Sequence, residues 1–330
     1  MSTSQAEKVR LRRLLARLAQ TRVLVVGDLM LDQFIRGSVS RLSPEAPVPV
    51  VHVRSESLMP GGAGNVALNL AALGARADLV GIVGDDLAGR TLLENLSSQG
   101  ISTSRILVDP ERVTSQKCRV IAEHQQVVRF DRETPKPLSV PAQGVLLRGL
   151  AAAIAQAQAV ILSDYGKGVI SPRLLKAVMA AARGRNIPVI VDPKIENFGL
   201  YRGVDCITPN THEAWAGMRR VPKPGQEPLD KLGWDIVKRL KARSVLITRG
   251  PDGMSLFESG GRLTHIPTRA REVYDVTGAG DTVVSVLTLA RACRASIRDA
   301  AALANYAAGI VVGKLGTATV SVAELREVLR

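Results

Sequence analysis

Short, mainly apolar runs alternate with longer stretches of helical period along most of this chain. The runs Val23–Val26, Leu79–Val83, Ala159–Ser163, Val189–Val191, Cys206–Thr208 and Val245–Thr248 have the composition of strands covered on both faces. Between them, Asn65–Leu73, Leu87–Ser98, Ser171–Arg183, His212–Met218 and Pro228–Leu240 have the length and spacing of covering helices. The alternation predicts an α/β fold: a doubly wound, mostly parallel sheet flanked by helices in one domain over residues 1–330. Near the N-terminus, Val9, Leu11, Leu14, Leu15 and Leu18 recur at helical spacing among Lys8, Arg10, Arg12, Arg13 and Arg17. This predicts an amphipathic helix over about 5–20, packed on the domain edge. A helix lying on a membrane surface is the alternative, and it lacks aromatic anchors.

Two regions break the alternation. Phe34–Arg54 and Ile106–Arg132 carry β-branched residues in short pieces separated by turn residues. They predict a small β lid over about 34–54 and 106–132, with a decorative hairpin as the plainer reading. The Pro/Gly-rich stretch Val221–Pro228 reads as a linker or a surface loop.

Composition narrows the class. The chain has 330 residues, 46% hydrophobic and only 3% aromatic, which suits an Ala/Val/Leu/Ile core between sheet and helices. Cys118, Cys206 and Cys293 are scattered, which argues against a disulfide framework and for a reducing cytoplasm. The four histidines are equally dispersed, so no zinc-type spacing is visible. No stretch reaches the ~18 apolar residues of a transmembrane helix, and no signal-peptide core is present. The net charge of +14 allows nucleic acid or anionic small molecules as partners. Basic residues are spread along the whole chain and stacking aromatics are few, so no nucleic-acid or membrane partner is expected, and an anionic small-molecule substrate or simply a basic proteome remains.

The sharpest chemical signal is Asp275-Val276-Thr277-Gly278-Ala279-Gly280-Asp281. A β-rich lead-in, Arg271–Tyr274, ends there, and the apolar run Thr282–Cys293 reads as a buried helix. Glycines at a helix start let the backbone approach a ligand and leave N–H groups pointing at it, which makes an anion site. Asp281 beside those donors would repel an anion unless it accepted the proton of an attacking hydroxyl. A Gly-rich turn capped by Asp is the plainer alternative. Ligands of doubly wound sheets gather at the carboxyl ends of strands, where Asp28, Asp164, Asp192, Asn210 and Gly250 fall.

Two other glycine motifs compete. Gly62-Ala63-Gly64-Asn65-Val66-Ala67 approaches a dinucleotide fingerprint, which would make the chain an NAD-binding dehydrogenase. Ser55–Pro60 separates it from the preceding β run, however. Gly84–Thr91 approaches a P-loop but has Arg90 in place of lysine and two acids where phosphates would lie.

Together the motifs resemble the ribokinase (PfkB-type) family of carbohydrate kinases over about Arg22 to Thr319. The resemblance is carried by Asp-x-x-Gly-Ala-Gly-Asp at 275–281, Gly-Gly with a following Asn at 61–65, Asn-x-x-Glu at 210–213 and Thr-x-Gly-x-x-Gly at 248–253. Within the family, Gly27–Asp32, Ser163–Gly168, Val191–Lys194 and Val311–Thr317 are most similar to kinases that phosphorylate D-glycero-β-D-manno-heptose 7-phosphate at C1. That likeness implies ATP and Mg²⁺, a place in lipopolysaccharide inner-core synthesis, a homodimer formed through the lid, and a separate nucleotidyltransferase in the same pathway. The resembling kinases are often fused to that second domain. This chain ends at Arg330 without a His-x-Gly-His motif, so a stand-alone kinase is expected.

The resemblance also implies site roles. Asp281 is the base, and Gly278, Ala279 and Gly280 hold the moving phosphoryl through their N–H groups. Asp275 shapes this loop or helps hold a monovalent cation such as K⁺. Asn210 and Glu213 face Mg²⁺ largely through water, although the same pair at this spacing makes a capping box. Thr248, Gly250 and Gly253 line the nucleotide, and Lys194 meets its phosphates. Asp28 and Asp32 bind sugar hydroxyls, with a strand-end cap as the plainer reading of Asp28. Gly61, Gly62 and Asn65 line the sugar; the 7-phosphate needs cations, for which Arg129 and Lys167 are our own candidates, with solvated side chains as the plainer reading of both. Ile195-Glu196-Asn197 and Thr211-His212 depart from the family pattern.

Overall fold

In the computed structural model, residues 3–123, 125–134, 136–222, 228–270 and 272–330 are described. Helix α1 (Thr3–Leu18) leads into β1 (Arg22–Gly27) and two long strands, β2 (Leu29–Leu42) and β3 (Pro49–Gly62). Then come α2 (Ala63–Ala72), β4 (Arg76–Gly84), α3 (Leu87–Ser98), β5 (Ile106–Asp109), β6 (Ser115–Ala122) and β7 (Gln125–Arg132). The middle runs through α4 (Val140–Leu147), α5 (Leu150–Gln156), β8 (Ala159–Ser163), α6 (Pro172–Arg183), β9 (Val189–Asp192) and β10 (Cys206–Ile207). The rest is α7 (Thr211–Gly217), α8 (Leu229–Leu240), β11 (Ser244–Thr248), β12 (Met254–Glu258), β13 (Arg262–Ile266), α9 (Ala279–Ala292), α10 (Ile297–Val311) and α11 (Val322–Val328).

Among the described residues the main sheet has nine strands in the order β13-β12-β11-β10-β9-β8-β1-β4-β5. Every pair from β11 to β5 is parallel, and β12 and β13 add an antiparallel edge. The middle strand explains the layering. Val23 and Val25 face one core with α1, α2, α9 and α10, while Leu24 and Val26 face the other with α6 and α8. Side chains alternate across a strand, so a continuous apolar run needs helices on both faces. Helix α1 lies on the first core with Leu11, Leu14, Leu15 and Leu18 buried, which is the packed reading rather than the membrane-surface one. Among the described residues no helix is long and apolar enough to cross a membrane. The Gly84-Asp85-Asp86 turn is a helix start: Asp86 caps α3 at Gly89 N–H (2.8 Å) and also takes Thr114 N–H (2.8 Å).

A second sheet, ordered β3-β2-β6-β7, forms the lid. It corrects the expected boundaries in two ways. Strands β2 and β3 run from Leu29 to Gly62 with Leu31 opposite Pro60, so Ser55–Pro60 is part of the β run and does not separate it from the glycines. Residues 106–109 are not lid at all, because β5 pairs in parallel with β4 at the edge of the main sheet. The lead-in at 272–274 is not a strand either; Tyr274 and Asp275 N–H groups bond Val312 O (2.8 and 3.2 Å), tying this segment to the end of α10. Residues 223–227 of the suggested linker lie outside the described residues.

Candidate active site

The carboxyl ends of β1, β8 and β9 and the start of α9 meet at one corner. Gly278 precedes α9 with φ of 80°, a left-handed conformation that glycine adopts without strain. This turn aims the first N–H groups of α9 outward. Those of Gly278 and Gly280 have no acceptor among the described residues, and the space over Gly280 is open. Ala279 differs from expectation: its N–H closes the turn onto Val276 O (3.2 Å) and is not available to a ligand. The donors left open at this turn are those of Gly278 and Gly280.

Asp281 sits beside these donors, 5% exposed. Asn65 Nδ2 donates to its Oδ2 (2.6 Å) and Tyr165 OH to its Oδ1 (2.8 Å). Burial pushes the Asp281 carboxyl up to about 6; the Asn65 and Tyr165 bonds pull against this, and Asp32 adds to it. Tyr165 is held well above the usual phenol range, by burial first and then by the Asp281 charge, so it remains a donor. A carboxylate with a pKa near neutral, next to free N–H groups, can accept a hydroxyl proton. Asn65 was expected to line the sugar. It is fully buried and its amide is committed to Asp281, with Asn69 Nδ2 behind it on Asn65 O (3.0 Å), so it orients the Asp281 carboxylate.

Asp28 also departs from expectation. It is fully buried, and its two oxygens accept the N–H groups of Tyr165 (2.8 Å), Lys167 (2.9 Å) and Val169 (3.0 Å). Burial and the nearby Asp164 raise its pKa, and the three N–H groups oppose them. These bonds occupy both Asp28 oxygens and fold the loop after β8, which delivers Tyr165 to Asp281. Asp164 braces the same loop, accepting from Gly166 N–H (2.8 Å), Asn197 Nδ2 (2.7 Å) and Tyr201 OH (2.6 Å). Asn197, one of the departures from the family pattern, thus has a definite partner.

Next along the edge, Asp192 ends β9. Its pKa is held well above the usual carboxylate range, by burial first and then by the charges of Asp281, Glu213 and Asp164. Asn210 and Glu213 form the capping box of α7: Asn210 Oδ1 accepts Glu213 N–H (2.9 Å), and Glu213 Oε2 accepts Asn210 N–H (2.9 Å). Both alternatives are therefore compatible, because only one Glu213 oxygen is used. Burial raises the Glu213 pKa, against Asn210 N–H and the neighbouring Lys194. Lys194 runs past Gly166, where an added Cβ would come 3.4 Å from its Cγ. Thr211, the other departure, stitches α7 to β11 through Thr248 O (3.2 Å). Thr248 and Gly250 lie together at this edge, and Gly250 is exposed with open space in front. Gly253 does not join them. It is buried at φ of 80°, and a Cβ there would lie 2.1 Å from Ile266 O, so it is a turn glycine between β11 and β12.

The lid contributes Asp32, which is 5% exposed and paired with Arg119 (2.6 Å). Gly61 lies under it: a Cβ there would fall 2.2 Å from Asp32 Oδ2. Gly62 touches the same corner, and an added Cβ would lie 3.5 Å from Tyr165. Further out, Arg129 is paired with Asp131 (2.8 Å) and Lys167 with Glu133 (2.5 Å), so neither is simply solvated. Tyr165, Arg119 and Asp192 are the residues of this corner to which the sequence reading gave no role. The glycine pair at 61–62 ends an antiparallel lid strand, not a strand of a parallel βαβ unit, which removes the dinucleotide reading.

Comparison with known proteins agrees with this geometry. Residues 20–324 match the model described as "pfkB family carbohydrate kinase". The chain is 47% identical over 319 residues to the bifunctional protein HldE of Geotalea uraniireducens, covering 97% of this chain and 65% of that protein. It thus spans about two thirds of the length of that relative. Among solved structures, Escherichia coli phosphofructokinase-2 in complex with potassium superposes with a TM-score of 0.75 at 22% identity, covering 94% of this chain and 98% of that one. Arabidopsis thaliana ribokinase complexed with ribose and ATP gives 0.72 at 19%, covering 94% and 99%, and these two likenesses speak to the fold. The fold is ribokinase-like, the chain is a sugar kinase, and it belongs to the pfkB family of carbohydrate kinases.

Proposed function

We propose that this chain transfers the γ-phosphoryl group of ATP to the anomeric hydroxyl of D-glycero-β-D-manno-heptose 7-phosphate, giving the 1,7-bisphosphate and ADP. The observation that carries the reaction type is Asp281, buried, clamped by Asn65 and Tyr165, and adjacent to the open N–H groups of Gly278 and Gly280. Asp281 takes the proton as the sugar O1 bonds to the γ-phosphorus and the bridging oxygen leaves with ADP. The two N–H groups and the positive end of α9 meet the charge on the moving phosphoryl.

Asp192 at the end of β9 and Glu213 in the first turn of α7 fit a magnesium ion accompanying the nucleotide, since the capping box takes Glu213 Oε2 and leaves its Oε1. Among the described residues no three His, Cys, Asp or Glu side chains form a metal cage. Mg²⁺ ordinarily binds through one or two carboxylates, water and phosphates. When bound it neutralises nucleotide charge. Lys194, Thr248 and Gly250 would line the nucleotide. Asp275, whose oxygens accept Thr277 N–H (2.9 Å) and Gly316 N–H (3.0 Å), joins the two loops where a monovalent cation would sit.

The acceptor reading has two supports. One is the likeness of Gly27–Asp32, Ser163–Gly168 and Val311–Thr317 to heptose 7-phosphate kinases. The other is the inner face of the lid, where strand register places Lys117 beside Asp32, and Arg119 and Arg129 beside Phe34. Asp32 would hold a sugar hydroxyl above Gly61 and Gly62, and this cationic face suits a phosphorylated sugar. The outer face of the lid exposes Leu58 (40%), Val128 (48%) and Phe130 (42%), which supports a lid-to-lid homodimer. A cytoplasmic kinase whose product passes to a nucleotidyltransferase, for lipopolysaccharide inner-core synthesis, completes the reading. ADP release with Mg²⁺-ATP tests it across heptose 7-phosphate, sedoheptulose 7-phosphate, ribose, fructose, fructose 6-phosphate and adenosine. Turnover on heptose 7-phosphate with a 1,7-bisphosphate product is expected; preference for another sugar would move the acceptor and keep the mechanism.

A further inference from the structure

We infer that Lys117 is the central cation for the acceptor's phosphate, which takes the places of the Asp131 and Glu133 carboxylates on Lys117, Arg129 and Lys167. This rests on the reading of the acceptor as a sugar phosphate. Three cations from three separate elements converge here: Lys117 on β6, Arg129 on β7 and Lys167 on the loop after β8. Lys117 and Lys167 side chains are each only 16% exposed. Two carboxylates face them. Asp131 lies 3.6 Å from Lys117 Nζ and 2.8 Å from Arg129, and Glu133 lies 2.5 Å from Lys167. The nearby Arg119 is committed to Asp32 (2.6 Å). Positive charge thus exceeds the two carboxylates in this partly desolvated pocket, the more so with Arg112 bonded to backbone carbonyls beside it, and an anion would balance it.

Lys117 is where that excess falls. Its Nζ is farther from its carboxylate than either of the other two cations is from its own. Burial, reinforced by Arg129 and Lys167, pulls its pKa below the usual lysine range, while Asp131 and Glu133 oppose the shift. Position points the same way. Lys117 is the direct register partner of Asp32, so their side chains share one face on neighbouring strands about 5 Å apart. A sugar held by Asp32, with its reacting hydroxyl toward Asp281, would extend its far end to Lys117. The frame of this pocket is already fixed. Arg112 donates to Thr134 O (3.0 Å), Lys136 O (3.1 Å) and Lys167 O (2.8 Å), binding the segment after Glu133 to the loop of Lys167. Lysine ammoniums are compact point charges suited to a phosphate dianion. The exchange is of ion pairs only, without any covalent step.

The test uses the full chain and compares heptose 7-phosphate with the same heptose lacking phosphate. Lys117→Met should lower the preference for the phosphorylated sugar about thirty-fold through KM, the worth of one charge-assisted bond. Lys117→Arg should restore part of it. Glu133→Gln, which removes a competing carboxylate, should lower KM for the phosphorylated acceptor and the inhibition constant of inorganic phosphate. The inference is overturned if Lys117→Met leaves the preference within about threefold of wild type, or if Glu133→Gln raises both constants. If Lys117→Met does not fold, the inorganic phosphate measurement on Glu133→Gln decides alone. Should the wild type prefer a different phosphorylated sugar, the heptose reading fails, and the same ratio on that sugar still tests Lys117. Preference for an unphosphorylated sugar would overturn the inference and leave the Asp281 chemistry standing.

Discussion

The catalytic corner and the inner face of the lid hold their charged groups by different means. At the corner, Asp281 is 5% exposed and fixed by two uncharged donors, Asn65 and Tyr165. Around the lid's inner face, Lys117, Arg129 and Lys167 of the loop after β8 are held by carboxylates that remain 23–24% exposed. Neutral donors in a dry site orient a base without cancelling its charge, so it stays reactive. Ion pairs at a partly wet surface contribute little to stability and exchange partners readily. On the proposed reading, the reacting atom is set in advance, whereas the acceptor is recognised through contacts that can be traded.

The largest effect that could break this contrast is loss of the base. Asp281→Asn should lower kcat by about three orders of magnitude with nearly unchanged ATP affinity. Retention of more than a tenth of the activity in a steady-state assay would remove Asp281 from the base role. Asp192→Asn comes next and should raise the Mg²⁺ concentration for half-maximal rate about tenfold, as expected when one of few carboxylates near a metal is lost. An unchanged Mg²⁺ titration would count against a metal role.

Tyr165→Phe sharpens the comparison through pH. Asp281 must be deprotonated to act, so kcat/KM should rise with pH through about 6 in the wild type. The Tyr165 bond lowers the Asp281 pKa, so its removal should move this limb to higher pH. A limb that stays in place would show that Tyr165 does not tune the base. The smallest effect is expected at Arg129, whose side chain is 46% exposed and paired with Asp131. Arg129→Ala should raise KM for the phosphorylated acceptor only about threefold; a loss as large as that of Lys117→Met would reverse their order.

Much of the main sheet was legible because strands covered on both faces must be continuously apolar, as at Val23–Val26 and Ala159–Ser163. Asp281 and Gly278 were legible for a local reason, since a turn, a helix start and a carboxylate fall within a few residues. The lid was harder to delimit. All of β7 is exposed, so no hydrophobic period marks its ends, and β5 next to it joins the other sheet. The partners of the base were invisible for want of range: Asn65 and Tyr165 lie 216 and 116 residues from Asp281. Asp28 and Asp32 show the same limit in miniature. Both are buried acids shortly after β1, but Asp28 faces backbone N–H groups, whereas Asp32 already stands on the lid strand β2 and pairs with Arg119. Tyr165 had one signal, its place inside the Ser163–Gly168 run.

Asp28 has a further effect through entropy. Its two oxygens gather the N–H groups of residues 165, 167 and 169, and so order five consecutive residues with one side chain. Ordering a residue's backbone costs about 1–2 kcal/mol, and here that cost falls on folding and not on the encounter with substrate. An acceptor arriving at this corner meets a loop whose freedom is already gone, and its binding energy is left for orienting the hydroxyl that reacts.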